Sequence, residues 1–311
     1  MSDFVRQQNN TCDFKTSDSW VILTPIEQSI KRKIEAVGVP LRDWDISIYR
    51  GVLTGCNEAF IITSEKREEI LNNCLTIEER ERSADLIRPI LRGRDIKRYG
   101  YNWANLWLIY IPWHFPYQFD ETIQGASDKA EQAFKEQYPA VYSHMLKFKE
   151  PLSNRNKAET GIRYEWYAMQ RWGAKYWDDF YKPKIVYPNM TKYMPFVWDT
   201  NHFVTNQKCF IITGSSTAFL TAFLNSSLFK YCFRDSFPEL QGGTRELSKI
   251  FFDKIPVIQV NEQIERKFKT LVDDIQQEYT KQRAIEIDNL IFELYNLSEE
   301  EQEVIGFVEI Q

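Results

Sequence analysis

The sequence contains few of the side chains that build metal centres or disulfide frameworks, with only five cysteines and three histidines among 311 residues. The cysteines are odd in number and include no Cys-x-x-Cys pair, which argues against both a zinc site and a set of disulfides. The histidines stand far apart, and we expect structural positions for them. The residues concerned are Cys12, Cys56, Cys74, Cys209, Cys232, His114, His144 and His202. This usage favours a reducing compartment.

Long apolar runs are also missing. No segment approaches the roughly 20 apolar residues that cross a bilayer, and the N-terminus does not resemble a secretory signal. The sequence therefore predicts a cytoplasmic protein without a membrane partner. Residues 1–20 are polar and unpatterned, which is typical of a leader or linker.

Motifs for nucleotide chemistry are absent. Enzymes that methylate an exocyclic amine on DNA need an Asn/Asp-Pro-Pro-aromatic turn, and the nearest string, Tyr187–Asn189, has the wrong order. Gly51–Gly55 lies between two predicted strands rather than between a strand and a helix, so it does not fit a Rossmann turn. A P-loop is not present either.

Metal-dependent nucleases place an acidic residue two positions before a lysine, so that carboxylate and ammonium converge on metal and water. Three pairs fit, namely Asp13/Lys15, Asp95/Lys97 and Glu265/Lys267. With 44 acidic residues and 21 lysines in 311 positions, chance alone predicts about three. We therefore predict no catalytic residue, metal site or cofactor site within this chain.

The chain has no overall excess of positive charge, because its formal net charge is −5. From Glu262 to the C-terminus there are five basic and thirteen acidic residues, a net of −8, which leaves the first 261 residues at +3. Arg80–Arg98 holds seven basic and three acidic residues, and Lys147–Lys184 holds nine and five. A polyanion responds to the local patch that meets it, so the global acidity does not exclude nucleic acid.

Hydrophobic periodicity predicts an α+β fold with a largely antiparallel central sheet, flanking helices and a C-terminal helical extension. Thr24-Pro25 predicts a helix start. Asp45–Arg50 and Ala59–Thr63 are predicted to be partner strands around a turn in which Gly51 and Gly55 adopt positive φ. We expect residues 21–258 to form one domain and residues 259–311 an acidic helical extension.

Other segments have clear single signals. The predicted elements are a buried strand at Leu106–Pro112, a solvent-side helix at Lys129–Lys149, an antiparallel meander of Lys184–Tyr187, Pro195–Trp198 and Lys208–Thr213, a helix at Ser216–Arg234, a helix or helix pair at Glu262–Tyr295, and a last helix opened by a Ser298-x-x-Glu301 capping box.

Several blocks, each weak alone, occur in an order that resembles the TaqI-like C-terminal specificity domains. They are Arg50–Ile62, Pro89–Tyr99, Lys182–Pro188, Phe223–Phe229, Lys254–Val257 and Ile287–Leu297, which span most of the chain. The resemblance implies the target-recognition domain of a type IIG restriction-modification enzyme or a related adenine-specific DNA methyltransferase. In such a parent, a separate catalytic domain uses S-adenosylmethionine, with magnesium where the enzyme also cleaves, and this chain provides the contacts to double-stranded DNA.

Four segments carry the candidate DNA-binding side chains. The first is the basic cluster of Arg92, Arg94, Lys97 and Arg98, and the second is the aromatic and basic stretch with Gln170 and Arg171. The third is the loop with Lys192 and Tyr193, and the fourth is the turn with Gln241, Thr244 and Arg245. Basic side chains contact phosphates, and amide, guanidinium or aromatic groups read or stack on bases. The competing interpretations are a solvated charged face, core packing of the rings, and a glycine turn that caps the next helix.

Two other functions remain open from the sequence. The chain could be a separate specificity subunit of a type I-like restriction system, although only one copy of the blocks is present. It could also be a protein-interaction module without DNA binding. A salt-sensitive mobility shift with duplex DNA distinguishes the two DNA-binding hypotheses, the target-recognition domain and the specificity subunit, from a protein-interaction module.

Overall fold

The structure, a computed structural model, describes residues 23–309, and the predicted leader lies outside them. The helices are α1 (Pro25–Val37), α2 (Asn57–Phe60), α3 (Ser64–Asn72), α4 (Ile77–Leu86), α5 (Asp128–Gln137), α6 (Pro139–Leu146), α7 (Lys149–Asn154), α8 (Thr217–Asn225), α9 (Ser227–Phe233), α10 (Lys249–Phe252), α11 (Glu262–Gln277), α12 (Lys281–Leu294) and α13 (Glu299–Ile305). The strands are β1 (Gly38–Pro40), β2 (Ile46–Arg50), β3 (Ile61–Thr63), β4 (Ile87–Leu91), β5 (Ile96–Lys97), β6 (Gly100–Tyr101), β7 (Leu106–Ile109), β8 (Lys184–Pro188), β9 (Met190–Thr191), β10 (Val197–Asp199), β11 (Val204–Thr205), β12 (Cys209–Gly214), β13 (Arg245–Glu246) and β14 (Pro256–Ile258). The mixed α+β class is confirmed, and among the helices of residues 23–309 none is long and apolar enough to cross a membrane.

One four-stranded sheet has the order β10-β8-β12-β2 and is antiparallel throughout. The prediction of antiparallel strands from residue 184 onward is confirmed, but a simple meander is wrong because β8 lies between β10 and β12. The reason is the path of the chain after β10. It first forms β11, which pairs in parallel with β4 of a different sheet, before it returns as β12.

The second four-stranded sheet has the order β11-β4-β7-β3. The predicted pairing of the strand ending at Arg50 with the strand ending at Thr63 is wrong, because β2 pairs with β12 and β3 pairs with β7. The intervening loop crosses from one sheet to the other instead of reversing as a hairpin. Its crossing is fixed by backbone hydrogen bonds from Gly51 N to Cys209 O (2.9 Å) and from Val52 N to Thr205 O (2.8 Å).

Gly51 is needed for space rather than for its backbone angle. A Cβ at this position would lie 2.2 Å from Asn206 O and 2.4 Å from Thr205 O, both backbone atoms. The expected positive φ is wrong for Gly51 and confirmed for Gly55, at +75°. Gly51 therefore permits the close approach of the two sheets at the crossing.

Each sheet borders its own hydrophobic core. The core of the first sheet includes residues of α1, α8, α9 and the C-terminal helices, and the core of the second includes residues of α5–α7. The predicted solvent-side helix at 129–149 is corrected on two points. Pro139 starts a new helix, since proline is tolerated in a first turn, and Phe134, Val141 and Met145 are fully buried.

The apolar run after Ser216 is two helices, not the predicted one. Ser226, between α8 and α9, has an extended ψ of 158° and serves as C-cap of one helix and N-cap of the next. Its hydroxyl donates to Phe223 O (2.6 Å) and accepts from Phe229 N (3.1 Å). The serine thus satisfies backbone groups on both sides of the break.

The C-terminal region is the expected helix pair followed by a short helix. α11 packs against α8, and Phe268 of α11 lies edge-on to Phe219 with ring centroids 5.1 Å apart. These helices therefore share the core of the first sheet. The boundary predicted between residues 258 and 259 falls at the end of β14 and stays a prediction.

Glu301 joins α13 to α1. Its carboxylate accepts hydrogen bonds from Ser298 N (2.7 Å), which completes the predicted capping box, and from Lys33 Nζ (2.6 Å). Burial opposes the charged form, but the hydrogen bonds and the Lys33 ammonium together lower the pKa of Glu301 to about 2.

We expect Glu301→Gln to reduce stability by about 1–2 kcal/mol near neutral pH. The folded pKa lies below the ordinary value of 4.5, so the wild-type advantage is full above that value and is lost as the pH falls towards about 2. Thermal denaturation of both proteins near pH 7, 4 and 2.5 measures this, with exposed Glu299→Gln as the control. A difference that does not change with pH would contradict the assignment.

Candidate nucleic-acid interface

A cleft of about 920 Å³ opens between the turn that follows β4 and the loop that follows β8. Its lining combines segments that are distant in sequence: Asn57 and Glu58, Arg92–Arg94 with Ile96 and Lys97, Pro188–Thr191 with Tyr193, and Lys208. The basic cluster near residue 94 and the loop near residue 192, both predicted from sequence, therefore border the same cavity.

The turn on one side of the cleft is organised by Asp95. This buried carboxylate accepts hydrogen bonds from Arg92 Nε (3.0 Å), Arg92 Nη2 (2.8 Å) and Arg92 N (2.9 Å). These contacts raise the pKa of Arg92 and hold its guanidinium against the turn. Arg94 and Lys97 are exposed, and neither forms an ion pair with any residue of the described range 23–309.

The loop on the other side is short and internally bonded. Thr191 Oγ1 accepts from Tyr193 N (3.0 Å) and Met194 N (3.3 Å), and Asn189 N donates to Lys208 O (2.8 Å). Lys192 is exposed and the Tyr193 side chain is 46% exposed, so both are available to a ligand.

The Gln241–Arg245 turn lies beside that loop. β13 pairs with β9 in the register Arg245↔Thr191, and a Cβ on Gly243 would lie 4.0 Å from Lys192 Cε. Gly242 and Gly243 have φ of +75° and +77°. Gln241 is exposed and Thr244 is half-buried, so the turn adds polar groups next to the cleft.

Two of the predicted contact residues have buried guanidinium groups. Arg98 is 5% exposed and donates to Asn225 O (2.8 Å) and Val308 O (3.1 Å). Arg245 is 8% exposed and forms ion pairs with Asp235 (2.9 Å) and Glu239 (2.7 Å). Both therefore hold protein segments together in this structure.

Gln170 and Arg171 are near the cleft but do not line it. Arg171 forms a pair of backbone hydrogen bonds with Leu53, each 2.9 Å, and the Gln170 side chain lies against Gly55. The Arg171 side chain is exposed, whereas the following Trp172 is buried. Core packing is thus the role of that ring.

The exposed charges that line the cleft are mainly positive, with three basic groups and one carboxylate, a net of +2. They are Arg94, Lys97, Lys208 and Glu58, and exposed Lys192 lies on the loop beside them. Such a surface attracts a polyanion. No cluster of three potential metal-ligating side chains occurs within the described residues.

Sequence reasoning missed Lys208 and Met190. Lys208 was assigned to the start of a strand, but it lies in the polar turn before β12 and its backbone amide is bonded to Asn206 Oδ1 (3.1 Å). Asn57 is at the cleft, and Thr54 Oγ1 donates to its Oδ1 (2.7 Å), so this side chain is engaged within its own turn. Only the polar Asn-Gln-Lys string could have suggested a turn at residue 208.

The family model described as TaqI-like C-terminal specificity domain matches residues 88–257, which is more than half of the chain. The chain belongs to this family. As a TaqI-like specificity domain of restriction-modification enzymes, it contains within the matched range both the Arg94 turn and the two loops around residues 192 and 243.

Three proteins of known name are similar to this chain. The type II methyltransferase M.MjaIV of Methanocaldococcus jannaschii is 21% identical over 252 residues, which cover 77% of this chain and 73% of the relative. The type IIL restriction-modification enzyme MmeI, solved in complex with DNA, is 12% identical with a TM-score of 0.51 over 83% of this chain and 33% of MmeI. The type IIG restriction endonuclease BpuSI is 14% identical with a TM-score of 0.45 over 88% of this chain and 34% of BpuSI. The likeness to MmeI concerns the fold, and the specificity domain spans about a third of the length of these two enzymes.

Proposed function

We propose that this specificity domain binds duplex DNA at a short defined sequence through the cleft and the loops beside it. The observation that carries the proposal is the meeting of three separate segments, Arg92–Lys97, Asn189–Tyr193 and Gln241–Arg245, at one positively charged surface. Because a single duplex contact has to bring together several phosphates and base edges, such convergence is what a reader of DNA requires.

The exposed side chains divide into two roles. Arg94, Lys97 and Lys192 contact phosphates and fix the position of the domain on the duplex. Tyr193 and Gln241 lie on the loops that approach base edges, where a ring stacks and an amide pairs with adenine.

The remaining predicted residues support this surface. Thr244 adds a hydroxyl to the turn, and Gln170 and Arg171 extend the surface at the Gly55 loop. Buried Arg98 and Arg245, and Arg92 in its pair with Asp95, hold the segments in place and are not proposed to touch DNA.

We further propose that the domain works next to a catalytic domain or subunit that methylates adenine with S-adenosylmethionine, in the cytoplasm. The support is the family and the methyltransferase named among its relatives. Magnesium enters only if that parent also cleaves DNA. The part of this chain is recognition and positioning of the target for the partner.

Selection from a pool of randomised duplexes, followed by anisotropy titration of the enriched sequence, tests the proposal. We expect one motif to be enriched and bound about 10³-fold more tightly than a scrambled duplex. The logarithm of the binding constant is expected to fall linearly with the logarithm of salt concentration. Absence of binding to any duplex at about 50 mM salt would refute DNA recognition, and binding without an enriched motif would refute sequence specificity.

A further inference from the structure

The junction between α8 and α9 is bonded to the loop that carries Lys192 and Tyr193. Asn225, at the end of α8, is fully buried, and its amide forms two hydrogen bonds with the backbone of Phe196. Asn225 Nδ2 donates to Phe196 O (2.7 Å), and Asn225 Oδ1 accepts from Phe196 N (3.1 Å). Since Phe196 follows the loop directly, this amide fixes the point at which the chain leaves the cleft.

Lys230 makes the second connection. Its ammonium donates to the carbonyl oxygens of Met194 and Leu224, the latter at 3.0 Å. The side chain is buried, and within residues 23–309 no carboxylate lies within ion-pair distance of it. Burial and the nearby Arg98 charge lower the pKa of Lys230. Burial of a lysine without a counter-ion is unfavourable. The stabilising contribution of the Lys230 side chain is therefore its two hydrogen bonds to carbonyl oxygens.

The loop needs such support because its backbone is strained. Met194 has a φ of +51°, in the left-handed region that residues with a Cβ rarely adopt. Backbone of this kind persists only where the surroundings over-determine it. Thr191 Oγ1 holds the amide side of Met194, and Lys230 holds its carbonyl side.

The same junction is also bonded to the opposite side of the cleft. Arg98 Nη2 donates to Asn225 O (2.8 Å), and Tyr99 N donates to Phe196 O (3.1 Å). Arg98 and Tyr99 follow Lys97 immediately in the chain. The separation between Lys97 on one side and the loop tip on the other is therefore set through Asn225.

We propose that Asn225 and Lys230 form a positioning clamp that sets the geometry of the two sides of the cleft for base discrimination. This inference rests on the proposed function. Neither residue touches DNA. The exposed cations that contact phosphate are unchanged by loss of the clamp, so specific binding depends on it far more than non-specific binding does.

The test compares Lys230→Met with the wild type and with Lys254→Met, a matched change at an exposed lysine. We expect K230M to reduce the ratio of affinities for the selected and scrambled duplexes by about 30-fold, because base contacts need the accurate loop position that pre-organisation gives. Affinity for the scrambled duplex and the salt dependence should change less than about twofold. Without DNA, amide hydrogen exchange at Tyr193 and Met194 should be about tenfold faster.

Each result has a definite meaning. An unchanged specificity ratio in K230M, or equal losses for both duplexes, overturns the clamp while the proposed function stands. Failure of the wild type to bind DNA overturns the proposed function and the inference with it. If K230M does not fold by near-UV circular dichroism, Lys230→Gln, which keeps one donor group, and Asn225→Asp are measured in the same way. Partial loss of the ratio in K230Q supports the clamp, and wild-type ratios in both variants overturn it.

Discussion

Replacing Arg94, Lys97 and Lys192 together by alanine is expected to weaken binding of the selected duplex by about 100-fold at moderate salt. All three side chains are exposed at or beside the cleft, and none has an ion-pair partner among residues 23–309. They are therefore free to replace the counterions of phosphates. Loss of three phosphate contacts should reduce the slope of log K against log salt by about 3.

The matched control removes the same charge elsewhere. Lys31, Arg266 and Lys267 lie on the exposed faces of α1 and α11, which do not contribute to the cleft. Their triple alanine variant has the same net charge as the cleft variant and is expected to bind within about twofold of wild type. Equal losses in the two variants would mean that overall charge, rather than the cleft, governs binding.

A large loss of stability is expected from Asp199→Asn. Asp199 and Lys184 are both fully buried, with Oδ2 and Nζ 2.6 Å apart. Asp199 also accepts hydrogen bonds from Asn201 N (2.8 Å) and Phe203 N (3.0 Å) at the end of β10. The substitution removes the negative charge beside the buried ammonium, which keeps the Phe180 carbonyl at 2.8 Å, and it turns one of the two acceptor oxygens into an NH2 donor. We expect a loss of about 3–5 kcal/mol and a Tm lower by roughly 10 °C.

Thermal and urea denaturation measure this effect, and two further variants interpret it. Lys184→Met combined with Asp199→Asn should recover much of the loss, because the uncompensated charge is then absent. Glu35→Gln breaks the exposed Lys31–Glu35 pair and should cost less than about 1 kcal/mol. If the double variant is as unstable as D199N, loss of the hydrogen bonds from Asn201 N and Phe203 N, rather than the buried charge, causes the effect.

Two helix starts could be predicted because their signals are local. Thr24 with Pro25 starts α1, and Ser298 with Glu301 opens α13, each through capping boxes made by side chains within three residues. Periodicity predicted helical structure over Glu262–Tyr295 but left open whether it is one helix or the pair α11 and α12. In these cases the residues that decide the structure are neighbours in the sequence.

Strand partners could not be predicted because distant residues decide them. β2 and β3 lie on either side of a glycine-containing turn and read as a hairpin, yet β12 and β7 are their partners. The deciding contact is the approach of Gly51 to residues 205 and 206, which no local pattern encodes.

The candidate site shows the same division. The sequence located the segments around Arg94, Lys192 and Gln241, and their exposure in the structure keeps them as candidate contacts. It could not distinguish exposed Arg94 from buried Arg98, four positions further along the chain, because burial of Arg98 depends on the distant residues Asn225 and Val308. Lys208 was missed for a related reason, since only the folded chain brings its turn to the cleft.

The pairing of β9 with β13 has a consequence for how this surface changes over evolutionary time. The loop at 189–193 and the turn at 241–245 share that two-residue ladder, and Leu247 N also donates to Asn189 O (2.8 Å). A substitution or insertion that moves either segment breaks backbone hydrogen bonds of the other. On the proposed function, new target sequences should therefore arise by coordinated replacement of both segments rather than by change in either alone.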